Sequence, residues 1–284
     1  MIDEKEKEVL DKVHDYEFKM LCKLDEVCRK YSITYFLEAG TLIGAARHKD
    51  FVPWDDDVDI YFKRKDYEKL LEHQDELAPY FIHIPNPEEN FFWDFTARLM
   101  DKRVLLKKDD EESEFYNHTH CQYIFFDLFI MDNNPGGIRG KLQMAELTLL
   151  YIFATSRRYK NGTNESNSPM VRFAIYIISR FGKLFSFKYI FKRYDKVSRR
   201  FAKKKDCEFY FLSNVAATFM FKSIYKKQWY RTRKELPVRD RMFIVPGGYV
   251  ESLTSYYGDY MQLPPEKDRH PEHIEYFEDV SIND

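Results

Sequence analysis

Four aspartates fall within five residues, at Asp55, Asp56, Asp57 and Asp59, and this run constrains the fold more than any other stretch of the chain. Two unit charges about 4 Å apart repel by about 1 kcal/mol in water and about 4 kcal/mol at an effective dielectric of 20. Holding several carboxylates together is therefore costly unless a cation sits among them. A solvated acidic turn is the ordinary fate of a charge run, but here Val58, Ile60 and Phe62 alternate with Asp57, Asp59 and Tyr61. That period of two predicts a strand over 57–62 with one face in a core and the other wet. Asp57 and Asp59 then project to the same side, at a spacing that lets them chelate one hard cation through oxygen, Mg²⁺ or Mn²⁺.

Upstream lies Gly40-Thr41-Leu42-Ile43-Gly44-Ala45-Ala46-Arg47-His48. A short helix is expected over 41–46, with Thr41 near its N-cap, so that free N–H groups of the Gly40-Thr41 turn face outward as a phosphate cradle. Arg47, His48 and Lys49 add cationic donors a turn and a half later. Taken alone such a turn usually only caps a helix; joined to the Asp-x-Asp strand it makes a two-part site, an anion grip facing a metal.

Two further charges sit in apolar surroundings. Asp127 lies in an expected strand over 123–131, among Phe125, Phe126, Leu128 and Phe129. Buried there it needs a cation, an arginine or several donors, though a strand-end Asp bonded to backbone is equally open. Arg98, in an expected strand over 92–106, is placed to meet a phosphate or the acidic cluster, with a structural salt bridge as the alternative. Trp54, beside the acids, either stacks on a base or sugar or packs in the core.

The rest of the chain supplies a body for this site. Apolar residues Val9, Val13, Tyr16, Met20, Leu24 and Val27 recur at helical steps over 2–31. Helices are also expected over 65–78, 142–158 and 250–257, and short strands over 33–37, 209–212 and 242–245. The turns Asn133-Asn134-Pro135-Gly136-Gly137 and Pro246-Gly247-Gly248 separate them. The polar stretch Asn161–Ser168 is the best candidate linker, and two regions follow, 1–140 and 141–284, unless the two form one continuous domain. With 45 Lys and Arg against 47 Asp and Glu in 284 residues, no global field points to nucleic acid. Cys22, Cys28, Cys121 and Cys207 show neither a C-x-x-C pair nor ligand spacing with histidine, which argues against zinc and disulfides. The charged N-terminus and the lack of a long apolar run point to the cytoplasm. From Met170 to Phe201 the sequence is apolar and basic together. This suits a peripheral contact at the inner face of a membrane, or an amphipathic helix that merely covers the domain.

The stretches Gly40–His48 and Phe51–Ile60 closely resemble the signature of the LicD family, which includes bacterial phosphorylcholine transferases and is related to fukutin and fukutin-related protein, transferases of ribitol phosphate from a CDP donor. The similarity extends through Phe126-Asp127-Leu128-Phe129, Tyr256–Tyr260, Leu263-Pro264-Pro265 and Arg269-His270-Pro271, while 142–205 carries no matching motif. The resemblance implies a nucleotidyltransferase-like α+β core with flanking helices and a helical C-terminal half. It also implies a metal held by Asp57 and Asp59 with Asp55, and a further carboxylate at Asp127, general base or only ligand. Gly40, Thr41, Arg47, His48 and Arg98, joined by Arg269 and His270 from the C-terminal motif, are then the residues expected at the donor phosphates. The implied reaction moves phosphocholine, or a polyol or sugar phosphate, from CDP-choline or a similar nucleotide-activated donor to a glycan acceptor, lipid-linked or free, such as a teichoic acid or lipopolysaccharide precursor. Two rivals stand beside it: a true nucleotidyltransferase releasing pyrophosphate, and an inactive glycan- or partner-binding module.

Overall fold

A computed structural model of the chain describes residues 4–107, 113–158, 168–271 and 277–280. The N-terminal apolar stripe forms helix α1 (Glu4–Lys30), with Glu4 and Glu6 in its first turn and Arg29 and Lys30 in its last, the polarity that favours the helix dipole. Its buried face, Val13, Met20, Leu24 and Val27, joins one core with strands β1 (Tyr35–Leu37), β2 (Asp59–Lys63) and β5 (Tyr123–Asn134). The segment over 65–78 is shorter as a helix than its periodicity predicts. It forms α3 (Arg64–Glu72) and then a separate 3₁₀ turn, Gln74–Leu77.

Two more strands follow, β3 (Phe81–His83) and β4 (Ala97–Leu105), then helix α4 (Ser113–Thr119). β5 runs past Met131 to Asn134, so the predicted turn contributes its first two residues to the strand, and helix α5 (Gly137–Ala154) begins at once. The expected linker Asn161–Ser168 lies, Ser168 apart, outside the described residues. Beyond it the basic apolar stretch divides into α6 (Pro169–Phe181) and α7 (Phe187–Ser198), capped by Ser168 and Ser186 side chains that accept from Val171 and Tyr189 N–H groups. The chain then supplies β6 (Phe209–Leu212), β7 (Ile224–Lys226), the hairpin β8 (Arg233–Val238) and β9 (Arg241–Pro246), α8 (Tyr249–Tyr257) and β10 (Glu278–Asp279).

The main sheet is mixed. Its strand order is β1-β2-β5-β4-β10, with β3 on β4, and β6 and then β7 continuing from β5. β2 and β5 are parallel, whereas the other pairs described are antiparallel. Helices flank this sheet, and the fold is α+β. The sheet runs straight across the expected boundary near residue 140, because β6 pairs with β5 and β10 with β4. Beyond residue 140 the chain therefore contributes strands as well as helices.

Two local expectations need correction. Helix α2 (Ala39–Ile43) begins two residues before Thr41, with Glu38 at its N-cap, and passes into a π-helical turn over Gly44–His48. Ala39 takes a positive φ of 49°, which ends β1 and redirects the chain. The outer face of β2 is also drier than alternation alone predicts. Tyr61 is buried on it, its ring edge-on to Phe129 and its hydroxyl 3.0 Å from that of Tyr225, because β7 and α8 cover that face beyond Asp59.

Candidate active site

The parallel register of β2 on β5 sets Asp59 directly beside Asp127. Side chains opposed across neighbouring strands sit a few ångströms apart on one face, so the two carboxylates share one edge of the sheet face. β2 begins at Asp59, and Asp57 precedes it in the loop. Burial, followed by the charges of Asp57, Asp127, Asp55 and Glu38, holds the Asp59 carboxyl far above the usual carboxylate range. Acids thus gather around one half-buried carboxyl, an arrangement that a bound cation would relieve.

The Gly40-Thr41 turn serves these acids. A Cβ on Gly40 would stand 2.0 Å from Asp55 Oδ2, so glycine is required for the carboxylate to lie against α2. Thr41, expected to cap the helix and meet phosphate, is buried inside its first turn, and its Oγ1 accepts from the Asp59 N–H at 2.9 Å. It positions the start of β2. His14 of α1 fixes the other side of the loop, its Nε2 bonding the Asp55 carbonyl at 2.7 Å while its ring stacks on Phe51 at 5.0 Å.

Of the partners open to Arg98, the structure shows the acidic cluster and a salt bridge. It faces Asp127 across β4 and β5, with Nε 2.9 Å from Asp127 Oδ1. Its two terminal nitrogens grip Asp94 at 2.7 and 3.2 Å. The buried guanidinium thus lies between two carboxylates, gripping Asp94 through both terminal nitrogens and facing Asp127 through Nε.

A second cluster assembles beside the acids. Arg47 and Arg269 approach the Trp54 ring, their guanidinium carbons 5.8 and 5.5 Å from its centroid. His48 stands edge-on to the same ring at 6.0 Å and accepts from Arg47 Nε at 2.9 Å. Arg47 Nη1 also donates to the carbonyls of Tyr260 and Gln262, at 2.8 and 3.2 Å, and Arg269 Nε to that of Pro264. The C-terminal motif is thereby folded back onto the loop before Asp55. Burial and then the neighbouring Arg269 push Arg47 down from its ordinary value, the sign of two cations sharing a place with an anion to gain. His270, expected with them, is exposed and turned to its own neighbour, with Nδ1 3.2 Å from the Pro271 carbonyl.

Three residues that the sequence reading passes over belong to this neighbourhood. Glu17 of α1 is fully buried, its Oε2 finds no hydrogen-bond partner, and burial followed by Asp57, Asp55 and Asp56 keeps it well above the ordinary range. Its signal was an acid on the apolar stripe between Val13 and Met20. Glu38, buried at the start of α2, is pushed up to about 8 by burial, although it accepts from the Tyr230 hydroxyl. Tyr257 of α8 feels Asp59, Glu38, Asp55 and Asp57 after its own burial, which brings the C-terminal helix to the rim. Among the described residues no three potential ligands are already gathered around one metal position; the acids crowd one another without converging.

Comparison with known proteins agrees with this architecture. The family model "LicD/FKTN/FKRP, nucleotidyltransferase domain" matches residues 32–134, the span from β1 to β5. The lipopolysaccharide cholinephosphotransferase LicD of Haemophilus influenzae is 30% identical over 257 residues, 88% of this chain and 90% of that protein. The human ribitol 5-phosphate transferase FKRP is 61% identical over 28 residues, 10% of this chain and 6% of its own length, a shared motif and no more. An uncharacterized protein of Rickettsia prowazekii matches 49 residues at 39% identity, 17% of this chain and 18% of that protein. With a full-length relative and a matching catalytic domain, the chain belongs to the LicD family and is a LicD-like phosphotransferase.

Proposed function

We propose that this protein moves phosphocholine, or a related polyol or sugar phosphate, from a CDP-type donor to a cell-surface glycan or teichoic acid precursor, in a reaction that depends on Mg²⁺ or Mn²⁺. The observation that carries the reading is Asp59 in register with Asp127 and ringed by Asp57, Asp55 and Glu38. The donor set is all carboxylate oxygen, which suits a hard cation. Asp57, Asp59 and Asp127, with Asp55, would hold it. Once bound it would supply neutralisation of the phosphate oxygens, the main demand of phosphoryl transfer.

The chain's own residues do the rest. Arg47 and Arg269 give the donor phosphates two cationic partners over the Trp54 ring, and that ring offers a face for the base or sugar. Asp127, held by Arg98, is aimed at the reacting centre as general base for the acceptor hydroxyl or as ligand only. The peripheral membrane contact has its own support. Among the described residues no helix is long and apolar enough to cross a membrane. Yet α6 leaves Met170, Phe173, Ile177 and Phe181 exposed along one stripe, with Arg172 and Arg180 on the same helix.

The deciding experiment is a screen of CDP-choline and other nucleotide-activated donors for transfer or hydrolysis, run on the parent chain and on Asp57→Asn, Asp59→Asn and Asp127→Asn. Released CMP supports the reading, while phosphocholine released from CDP-choline, or pyrophosphate released from CTP included in the screen, supports nucleotidyl transfer. Undiminished turnover in Asp57→Asn and Asp59→Asn removes the site from consideration. A calorimetric titration with Mg²⁺ and CDP-choline that gives no heat in any combination would revive the inactive binding module.

A further inference from the structure

At the opposite end of β2 from Asp59 lies an open cleft of about 740 Å³, lined by Lys63, Lys205, Lys226, Lys227 and Arg231 against the acids Asp206 and Glu208. The lining carries a net charge near +3. Several arginines elsewhere meet carboxylates: Arg64 meets Asp132, Arg193 and Arg200 share Glu146, and Arg199 reaches Glu68. Among the described residues none of the five cleft cations stands in an ion pair.

Lys63 is the built part of the cleft. Its ammonium is half-buried, donates to the Tyr230 carbonyl at 2.9 Å and lies 5.5 Å over the Phe36 ring. One carbonyl satisfies one of three N–H donors, and burial pushes this lysine below its ordinary value. Lys227 stands 4.8 Å over the Tyr210 ring beside it. A desolvated ammonium with donors to spare is stabilised by an incoming anion far more than a solvated one is.

The cleft and the acids occupy one face of the sheet. Strand alternation puts Asp59, Tyr61 and Lys63 on the same side, with about 13 Å between the first and the last at about 3.3 Å per residue. Tyr61, Tyr225 and Tyr230 form the wall between them, and Tyr230 touches both ends, its carbonyl on Lys63 and its hydroxyl on Glu38. We propose that this cleft is an anion-binding subsite for the acceptor: it holds a phosphate-bearing segment of the glycan while the acceptor hydroxyl enters at Asp59 and Asp127. The inference rests on the transferase reading for its choice of acceptor over donor, since a phosphate group can come from either.

Isothermal titration of the full chain with a synthetic phosphodiester-linked glycerol phosphate trimer, inorganic phosphate and CDP-choline tests it. The trimer is expected to bind more tightly than inorganic phosphate. Lys227→Gln, and separately exposed Lys226→Gln, are expected to weaken the trimer about tenfold and to raise KM for an anionic acceptor more than KM for the donor. An unmeasurable trimer, a trimer affinity untouched by both substitutions, or an equal fall in CDP-choline affinity overturns the proposal. Turnover and trimer binding measured together on the parent chain separate the two claims. Lysine-dependent trimer binding in a chain that turns over no donor sinks the transferase reading and leaves the subsite, whereas donor turnover with no trimer binding does the reverse.

Discussion

Asp25 is buried and Asp59 half-buried, and their surroundings could hardly differ more. Asp25 receives Arg29 at 2.8 Å, Arg241 at 3.3 Å and the Tyr35 hydroxyl at 2.7 Å. Every element that touches it supplies a donor, so its charge is matched inside the fold. Asp59 is met instead by Asp57, Asp127, Asp55 and Glu38. The first is how a protein buries an acid for stability, and the second is an arrangement that the proposed cation would relieve. The same contrast separates Arg98, filled by Asp94 and Asp127, from Arg47 and Arg269, which lean on each other over Trp54.

The contrast breaks if the two aspartates respond alike. Asp59→Asn is expected to lower turnover at least about 100-fold, since charge stabilisation at such a centre contributes several kcal/mol, while the metal-free protein melts no lower than the parent. A melting temperature several degrees lower would put Asp59 in Asp25's class. Added Mg²⁺ at about 100 times its Kd is expected to stabilise the parent by about 2.7 kcal/mol, and Asp59→Asn should lose that gain while Asp25→Asn keeps it. Asp25→Asn itself should cost about 2 kcal/mol by thermal unfolding, the scale of losing charged hydrogen bonds whose arginines are partly exposed. Gly40→Ala sharpens the comparison further. Its methyl meets the movable Asp55 carboxylate rather than backbone, so turnover should fall about tenfold with little change in melting. Gly44→Ala, whose Cβ would stand 2.5 Å from the Asp50 carbonyl, should chiefly destabilise.

A further difference concerns pH. Glu38 keeps its proton to about 8 in the folded state, whereas in the unfolded chain it titrates at about 4.3. Between those values the unfolded state holds fewer protons, so the parent loses stability as pH rises through this window. Glu38→Gln removes the dependence. Its melting advantage should be absent at pH 4, grow from pH 5 and be complete above pH 8; a constant offset would contradict the buried, protonated acid.

Much of the site is legible in the sequence because it is local. Four acids before an alternating strand, with a glycine-threonine turn upstream, announce carboxylates on one edge and a helix packed beside them. What the sequence withholds is pairing. That Asp127 falls beside Asp59 is a matter of register between strands about seventy residues apart, and that Arg98 is consumed by Asp94 depends on the bend between them. Thr41 was misplaced because a hydroxyl near a helix start reads as a cap, whereas Glu38 takes that position and Ala39 accepts the positive φ. Glu17 was visible as a charge on an apolar stripe, yet only packing shows which acids it faces. The α+β class follows from the mixture of periods, but the return of β6 and β10 to the first sheet needs tertiary contacts that no local pattern encodes.

The clasp made by Arg47 has a consequence for how a ligand would announce itself. The same Nη1 that reaches the Tyr260 and Gln262 carbonyls is one of the donors an arriving phosphate would claim, so occupancy of the pocket and tethering of the tail compete for one nitrogen. Protease accessibility around Met261 then becomes a gauge of occupancy, and shortening the chain by some twenty residues would strip the Trp54 platform of half its positive charge though the acids at 55–59 lie about two hundred positions away.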